Sequence, residues 1–281
     1  MTRLLRSFLS AAVIVSTFFS CKTNDKSGEN NGQAPANAQS VKSISYSIVN
    51  TFPHDTSSFT QGLVIYKGQM YEGTGGADYD LVGSKKSRLM KVNLQSGQAE
   101  KSIDLPGKYF GEGITILNDT VYQLTWREHT VFVYTLPDFR KVKEFPINTE
   151  GWGITHNGKD LIVSDGTSNL YFYEPSTFRL LRTQSVMQNG ELSFNLNELE
   201  YIDGFVYANQ WQQPYIFKID PESGQVVGRI DLTQAWDRIK QIDSEADVPN
   251  GIAYDAEAKK IYITGRSEER RVGKECRSRW S

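Results

Sequence analysis

Phe110-Gly111-Glu112-Gly113-Ile114-Thr115 is the stretch that decides the fold, because its central phrase recurs along the chain. The phrase is a polar or aromatic residue, then usually glycine, then a β-prone run. Its five copies are Gln61-Gly62-Leu63-Val64, Glu112-Gly113-Ile114-Thr115, Trp152-Gly153-Ile154-Thr155, Asn197-Glu198-Leu199-Glu200 and Asn250-Gly251-Ile252-Ala253. Their second positions lie 40 to 53 residues apart, a period typical of β-propeller blades. We therefore predict an all-β fold, a five-bladed β-propeller whose inner strands begin at a ring of five side chains.

Each copy is followed by further strand patterns. A second strand follows a turn, as in Thr120-Val121-Tyr122-Gln123, and a third alternates, as in Tyr215-Ile216-Phe217-Lys218. The period of two and the β-branched and aromatic content indicate strands. Residues 232–242 form the one predicted helix. The fifth repeat shows two strands only, so the last blade is predicted to be truncated, with residues 43–51 supplying an outer strand.

The first 42 residues are predicted to lie outside the propeller. Arg3 and Arg6 precede a mostly apolar run over 8–19, so residues 1–20 resemble a signal peptide. Cys21 follows as the expected lipidation site of a bacterial lipoprotein, and 21–42 are expected to form a flexible tether. The chain is then exported and anchored by lipid to a bacterial membrane, facing the periplasm. A plain secretory signal with an incidental cysteine is the alternative.

The other end of the sequence also differs from the body. Residues 266–281 are densely charged and lack alternation, and they include Cys276. We interpret this segment as an atypical, non-native tail, and residues 43–265 as the propeller domain. A genuine basic tail that binds an anion or a membrane is the alternative.

Composition excludes several classes of function. The net charge of −2 gives no long-range field for nucleic acid. With Cys21 lipidated and Cys276 in the tail, the propeller has no thiol nucleophile or disulfide. His54, His129 and His156 are scattered without a metal-ligand spacing. We expect no metal, no cofactor and a monomeric protein.

The ring residues point to a pocket, because the starts of inner strands converge from distant parts of the sequence. Glu112 is the one carboxylate of the ring, beside the amides of Gln61, Asn197 and Asn250. The aromatic residues placed near the same rim are Phe59, Phe110, Trp126, Trp152 and Trp211. Amides offer directed hydrogen bonds, aromatic faces accept ammonium groups, and burial would raise the pKa of Glu112. Such a pocket suits a small amide-bearing ligand and acid–base chemistry.

Other interpretations of these residues stay open. Gly-aliphatic phrases occur in any propeller, an isolated tryptophan is often core, and Glu112 could hold a structural water. A propeller that binds sugars or peptides without chemistry would not need the acid. A metal-dependent lactonase-type propeller would need several carboxylates in its channel.

At these residues the chain resembles the glutaminyl cyclotransferases of the plant and bacterial type. The matching phrases are Phe59-Thr60-Gln61-Gly62-Leu63, Tyr71-Glu72-Gly73-Thr74-Gly75, Phe110-Gly111-Glu112-Gly113-Ile114, Gln123-Leu124-Thr125-Trp126, Gly151-Trp152-Gly153, Ser164-Asp165-Gly166, Asn197-Glu198-Leu199-Glu200-Tyr201, Asn209-Gln210-Trp211 and Pro249-Asn250-Gly251-Ile252-Ala253. They follow one another over almost the whole body.

The resemblance implies a five-bladed propeller that converts N-terminal glutamine of peptides or proteins into pyroglutamate with loss of ammonia, without a catalytic metal. It implies that Glu112 is the acid and base. The implied substrate pocket consists of Phe59, Gln61, Phe110, Trp126, Trp152, Asn197 and Trp211, to which the ring adds Asn250. One departure is that the family has a lysine after Thr-Gly, whereas Arg266 follows Thr264-Gly265 here. Arginine is a poor substitute, because its head is larger and planar.

Overall fold

The computed structural model describes residues 41–55, 57–76, 86–242, 244, 246–267 and 275–280, with backbone alone for 267 and 275–280. The predicted signal peptide 1–20, Cys21 and most of the tether lie outside the described residues, as does much of the charged tail. No helix in the described part of the chain is both long and apolar enough to cross a membrane.

The strands follow one another with one intervening helix. The first two are β1 (Lys42–Ser43) and β2 (Ile48–His54). They are followed by β3 (Phe59–Tyr66), β4 (Gln69–Gly75), β5 (Arg88–Val92), β6 (Ala99–Asp104), β7 (Gly111–Leu117), β8 (Thr120–Thr125), β9 (Thr130–Thr135), β10 (Arg140–Pro146), β11 (Ile154–His156), β12 (Leu161–Val163), β13 (Asn169–Glu174) and β14 (Arg179–Ser185). The remainder are β15 (Met187–Gln188), β16 (Glu191–Leu192), β17 (Leu196–Ile202), β18 (Phe205–Gln210), β19 (Tyr215–Ile219), β20 (Val226–Asp231), α1 (Thr233–Ile242), β21 (Ala246–Asp255), β22 (Lys260–Ser267) and β23 (Glu275–Trp280).

The strands pair as antiparallel meanders. The orders β7-β8-β9-β10, β11-β12-β13-β14 and β17-β18-β19-β20 each follow the chain, and β1 adds to β20 in parallel. The β3-β4-β5-β6 meander and the group β21, β22, β23 and β2 belong to one larger sheet, which a single pair between Arg266 and Phe59 connects. The prediction of an all-β, propeller-like fold is therefore confirmed, as is the helix predicted over 232–242.

The hydrophobic core lies between neighbouring sheets. Leu89 of β5 packs in one cluster with Ile114 of β7 and Phe132 of β9, and all three are at most 1% exposed. Leu124 and Val131 pack in the same way with Ile154 of the next sheet. The strands farthest from the ring, β6, β10 and β14, are mostly exposed. Each sheet therefore buries its two faces against its neighbours.

The inner strands meet backbone to backbone, which explains the recurring glycine. The Gly113 amide donates to the Trp152 carbonyl at 2.8 Å. A Cβ on Gly113 would lie 2.7 Å from the same carbonyl oxygen. No side chain fits at this approach, so the glycine brings the neighbouring ring residues together.

The last unit differs from its prediction. The outer strand expected over 43–51 starts later, as β2, and residues 44–47 are not in a strand. The last blade was predicted to lack a strand, because residues 266–281 show no strand pattern, but Arg266 lies in β22 and residues 275–280 form β23 between β22 and β2. The prediction of a truncated last blade is wrong in this respect, because open strand edges pair through backbone groups whatever the side-chain pattern. That the tail is non-native stays a prediction.

Candidate active site

A cavity of about 400 Å³ opens where the inner strands begin. Its lining residues are Phe59, Gln61, Phe110, Glu112, Trp126, Arg127, Trp152, Asn197, Trp211 and Arg266. The structure thus brings eight of the nine predicted site residues to one cavity. They come from β3, β7, β17 and the loops after β6, β8, β10 and β18, so the ring geometry rather than sequence proximity assembles them.

Glu112 is the only carboxylate among the described residues that line this cavity. It is 5% exposed. Burial raises the pKa of Glu112 well above its ordinary value, and the charges of Glu150 and Glu128 act in the same direction. The Arg266 guanidinium opposes this effect. A carboxyl group whose pKa is raised in this way can both accept and deliver a proton.

Arg266 occupies the position where the resemblance implied a lysine. Its Nη2 donates a hydrogen bond to the Gln61 Oε1 atom, and its guanidinium lies 4.9 Å from the centre of the Phe59 ring. The residue is 8% exposed, and its buried Nε has no hydrogen-bond partner among the described residues. Burial lowers the pKa of Arg266, while Glu112 and Asp247 raise it. The pocket therefore contains a fixed cation with a free donor.

Asn250 is the predicted site residue that the structure does not place in the cavity wall. Its Nδ2 donates to the Thr60 carbonyl at 3.0 Å and to Gln61 Oε1 at 3.3 Å, and the residue is fully buried. The β21 strand presents it behind Gln61. Two donors, Asn250 and Arg266, therefore fix the orientation of the Gln61 amide, so Asn250 contacts a pocket residue instead of the pocket.

Asn197 supplies an acceptor to the cavity. It is 1% exposed, and its Oδ1 has no partner among the described residues. Its main chain is fixed, because Ser164 Oγ donates to the Asn197 carbonyl at 2.6 Å and accepts from the Gly153 amide at 2.9 Å. A buried oxygen without a partner is costly unless a ligand donates to it.

The aromatic side chains meet edge to face. The ring centres of Phe59 and Phe110 are 6.2 Å apart, and those of Phe110 and Trp126 are 5.7 Å apart. Trp152 and Trp211 form a second pair at 5.5 Å. These contacts give a water-poor wall around Glu112.

Gly166 packs closely against the Trp152 ring. The residue has φ +81°, and a Cβ there would lie 2.6 Å from the indole. The Ser164-Asp165-Gly166 phrase of the sequence therefore serves the pocket indirectly, through the main-chain bonds of Ser164 and this close approach.

Two polar side chains at the rim were missed from the sequence. Arg127 lines the cavity, with its guanidinium 3.8 Å from the centre of the Trp126 ring. Glu150 accepts hydrogen bonds from the indole nitrogens of Trp126 and Trp152. Glu150 lies two residues before a ring residue, as Phe59 and Phe110 do, and that spacing was the available signal.

No group of three His, Cys, Asp or Glu side chains in the described residues is arranged to hold a metal ion. Among the described residues that line the cavity, the polar groups other than the indoles are one carboxylate, two amides and two guanidinium groups.

Comparison with known proteins gives a consistent result. The sequence model of a family described as glutamine cyclotransferase matches residues 14–270. The chain is 40% identical over 223 residues to glutaminyl-peptide cyclotransferase of Arabidopsis thaliana, covering 78% of this chain and 67% of the plant protein. The crystal structure of Myxococcus xanthus glutaminyl cyclase superposes with a TM-score of 0.75 at 31% identity, covering 84% of this chain and 95% of that one.

Proposed function

This chain belongs to the glutamine cyclotransferase family, and from that membership we propose that it cyclises N-terminal glutamine to pyroglutamate, with Glu112 as acid and base. It is a glutaminyl-peptide cyclotransferase, an enzyme that acts on N-terminal glutaminyl peptides or proteins. The observation that carries the assignment of Glu112 is its position as the only carboxylate of the described cavity lining, buried among aromatic rings and beside Arg266.

The reaction is intramolecular. The neutral α-amine attacks the side-chain amide carbon, a new carbon–nitrogen bond forms, and the bond to the departing amide nitrogen breaks. Glu112 accepts a proton from the attacking amine and delivers it to the leaving nitrogen, which departs as ammonia. Proton transfer of this kind contributes about 10²–10⁴ in rate. A pocket that holds the glutamine folded adds the advantage of proximity.

The amides and the guanidinium orient the substrate. Asn197 Oδ1 is the acceptor for a substrate N–H, because it is buried and has no partner among the described residues. Arg266 Nε is a donor in the same condition and stabilises the negative charge that develops on the amide oxygen. Gln61 contributes its amide, which Asn250 and Arg266 hold in place.

The geometry supports neither of the two alternative functions, a metal-dependent lactonase or a binding propeller without chemistry. A lactonase-type metal site needs several oxygen ligands around one position, whereas the described cavity lining offers one carboxylate next to a guanidinium. A binding module without chemistry does not require an acid with a raised pKa facing an amide-lined cavity.

We further propose that the propeller has five blades. Three are the separate four-stranded meanders, and the larger sheet divides into two more, β3 to β6 and β21, β22, β23 with β2. The single pair between Arg266 and Phe59 that joins them supports this division. The fifth blade is then completed by a strand from the beginning of the domain.

We also propose that the protein is exported and anchored to a membrane. The basic start, the apolar run over 8–19 and Cys21 support export, lipid attachment at Cys21 and a periplasmic position on a bacterial membrane. The enzyme would act there as a monomer. Detergent partitioning of the Cys21→Ser variant against the wild type tests the anchor, which predicts that only the wild type enters the detergent phase.

The activity is tested by mass spectrometry of a Gln-initiated peptide incubated with the protein. We expect loss of one ammonia, faster than in buffer alone. The same peptide with an acetylated α-amine is the control, because it lacks the attacking nucleophile and should not change. Equal rates with and without protein would overturn the proposal.

A further inference from the structure

Glu150 connects two walls of the pocket. It lies in the loop between β10 and β11, and a single oxygen, Oε2, accepts from Trp126 Nε1 at 2.8 Å and from Trp152 Nε1 at 3.0 Å. Trp126 follows β8 and Trp152 precedes β11, and these two strands belong to different sheets. An indole N–H is a donor only, so each ring orients towards its acceptor. One atom therefore fixes the direction of both indoles.

The second oxygen of Glu150 faces Arg127. Arg127 Nε lies 3.5 Å from Oε1, and the same guanidinium lies over the Trp126 ring. The two side chains are 66% and 37% exposed for Arg127 and Glu150, respectively. An ion pair this open to solvent adds little stability by itself. Its evident effect is to keep the other oxygen directed at the indoles.

The two indoles in turn contact two further aromatic side chains of the cavity. Trp126 meets Phe110 at an interplanar angle of 61°, and Trp152 meets Trp211 at 87°. Through these contacts the carboxylate of Glu150 acts on four of the aromatic side chains that line the cavity.

We propose that Glu150 is a positioning and specificity residue, whose carboxylate holds the Trp126 and Trp152 indoles at the spacing that accepts a glutaminyl side chain. This inference rests on the proposed function. Glu150 touches no reacting atom in it, and acts through the two indoles and through its charge on Glu112.

The charge has a separate consequence. The groups that act on Glu112 are Arg266 from β22, Glu150 from the β10–β11 loop and Glu128 from the loop after β8. The negative charge of Glu150 raises the pKa of Glu112. Removing that charge should let the Glu112 carboxylate persist to lower pH.

Two substitutions separate geometry from charge. Glu150→Gln keeps an oxygen that can accept from both indoles but removes the charge, whereas Glu150→Ala removes both. For Glu150→Gln we expect a KM within about threefold of wild type and an acid limb of the kcat–pH profile shifted to lower pH. For Glu150→Ala we expect a KM at least about tenfold higher and a changed near-ultraviolet circular dichroism spectrum, because two hydrogen bonds to a charged acceptor are lost.

The matched control is Glu144→Gln, which removes an exposed carboxylate that pairs with Lys141 on β10 and should change neither parameter. A wild-type KM and spectrum in Glu150→Ala would overturn the proposal. If Glu150→Ala does not fold, the Glu150→Gln profile decides, since an unshifted acid limb contradicts the inference. The circular dichroism spectra are measured without substrate, so they report on the role of Glu150 whether or not the protein is active. If the wild type releases no ammonia, that result refutes the proposed function and not the role of Glu150 in orienting the indoles.

Discussion

Asn197 and Glu198 are consecutive residues of β17, yet Asn197 lines the cavity and Glu198 connects three inner strands. Glu198 Oε1 accepts from the Leu63 amide of β3 at 3.1 Å, and Oε2 accepts from the Ile252 amide of β21 at 2.8 Å. The residue is 1% exposed and replaces the glycine found at this position of the other four phrases. Successive side chains of a strand point in opposite directions. Asn197 can therefore line the site while its neighbour Glu198 stabilises the fold.

Glu198→Ala should destabilise the protein without changing the chemistry. The substitution leaves the Leu63 and Ile252 amides without their acceptor, at a cost of about 1–3 kcal/mol each. We expect the free energy of unfolding in urea to fall by about 3 kcal/mol or more. Glu191→Ala on the exposed β16 hairpin is the control and should be neutral. A stable Glu198→Ala protein without turnover would instead make Glu198 part of the catalytic machinery.

Glu112→Gln should abolish turnover but preserve the fold. The amide keeps the size of the side chain and cannot exchange the proton, so we expect cyclisation to fall by at least about a hundredfold. The raised pKa of Glu112 means that the ionised group disfavours folding above its ordinary pKa, so the variant should melt no lower than wild type at neutral pH. A peptide cyclisation assay and a melting curve on the same sample measure both. Turnover within tenfold of wild type would remove Glu112 from the mechanism.

Arg266→Lys should increase activity. The arginine head holds Gln61 and lies over Phe59 inside the cavity, whereas a lysine ammonium is compact and flexible. We expect kcat/KM to rise by about three- to tenfold, mainly through a lower KM, since the smaller head leaves more room for the substrate. Arg179→Lys on the exposed β14 strand is the control. Lysine keeps the positive charge that stabilises the developing oxyanion, so a decrease in kcat/KM would show that the Nε donor of the guanidinium outweighs the room gained.

Activity should survive exhaustive chelation. The described residues offer no cluster of three metal-ligating side chains, and Glu112 is the only carboxylate among the described residues that line the cavity. Dialysis against EDTA, followed by the cyclisation assay with and without added Zn²⁺ or Ca²⁺, should give equal rates. Loss of activity that either metal restores would contradict the mechanism.

The site was predictable from the sequence to the extent that one periodic phrase determines it. Glu112, Gln61, Trp152 and Asn197 occupy the same position in successive phrases, so their convergence follows from the repeat alone. Asn250 was expected there too, but two hydrogen bonds hold it behind Gln61.

The position of Glu150 follows the repeat, two residues before Trp152, but the roles of the missed residues depend on contacts that no period encodes. Glu150 and Arg127 lie in loops, and their roles follow from indole directions and from one guanidinium stacked on a ring. The β23 strand was missed because backbone pairing at an open edge needs no alternation of side chains.

A second titratable group lies at the other end of the inner strands. Glu200 faces a cavity of about 300 Å³ that is also lined by His156, Tyr201 and Tyr254. Its Oε1 accepts from the Tyr254 amide at 2.9 Å. Burial raises the pKa of Glu200 to about 8, against the opposing effect of hydrogen bonds from Tyr254, Thr155 and Tyr201.

Glu200 should make the wild type less stable as the pH rises. The group binds its proton more tightly in the folded state than in the unfolded chain, so its stabilising contribution is complete below about pH 4.5. That contribution is lost progressively as the pH rises through the folded pKa of about 8. Because Glu200 is only partly buried, we expect a loss of about 1–2 kcal/mol rather than the full linkage energy.

Urea unfolding between pH 5 and pH 8.5 should show this decrease in the free energy of unfolding for wild type and a smaller pH dependence for Glu200→Gln. Glu191→Gln, on the exposed hairpin, should retain the wild-type slope. Equal slopes in wild type and Glu200→Gln would show that Glu200 titrates normally and that its cavity is open to solvent.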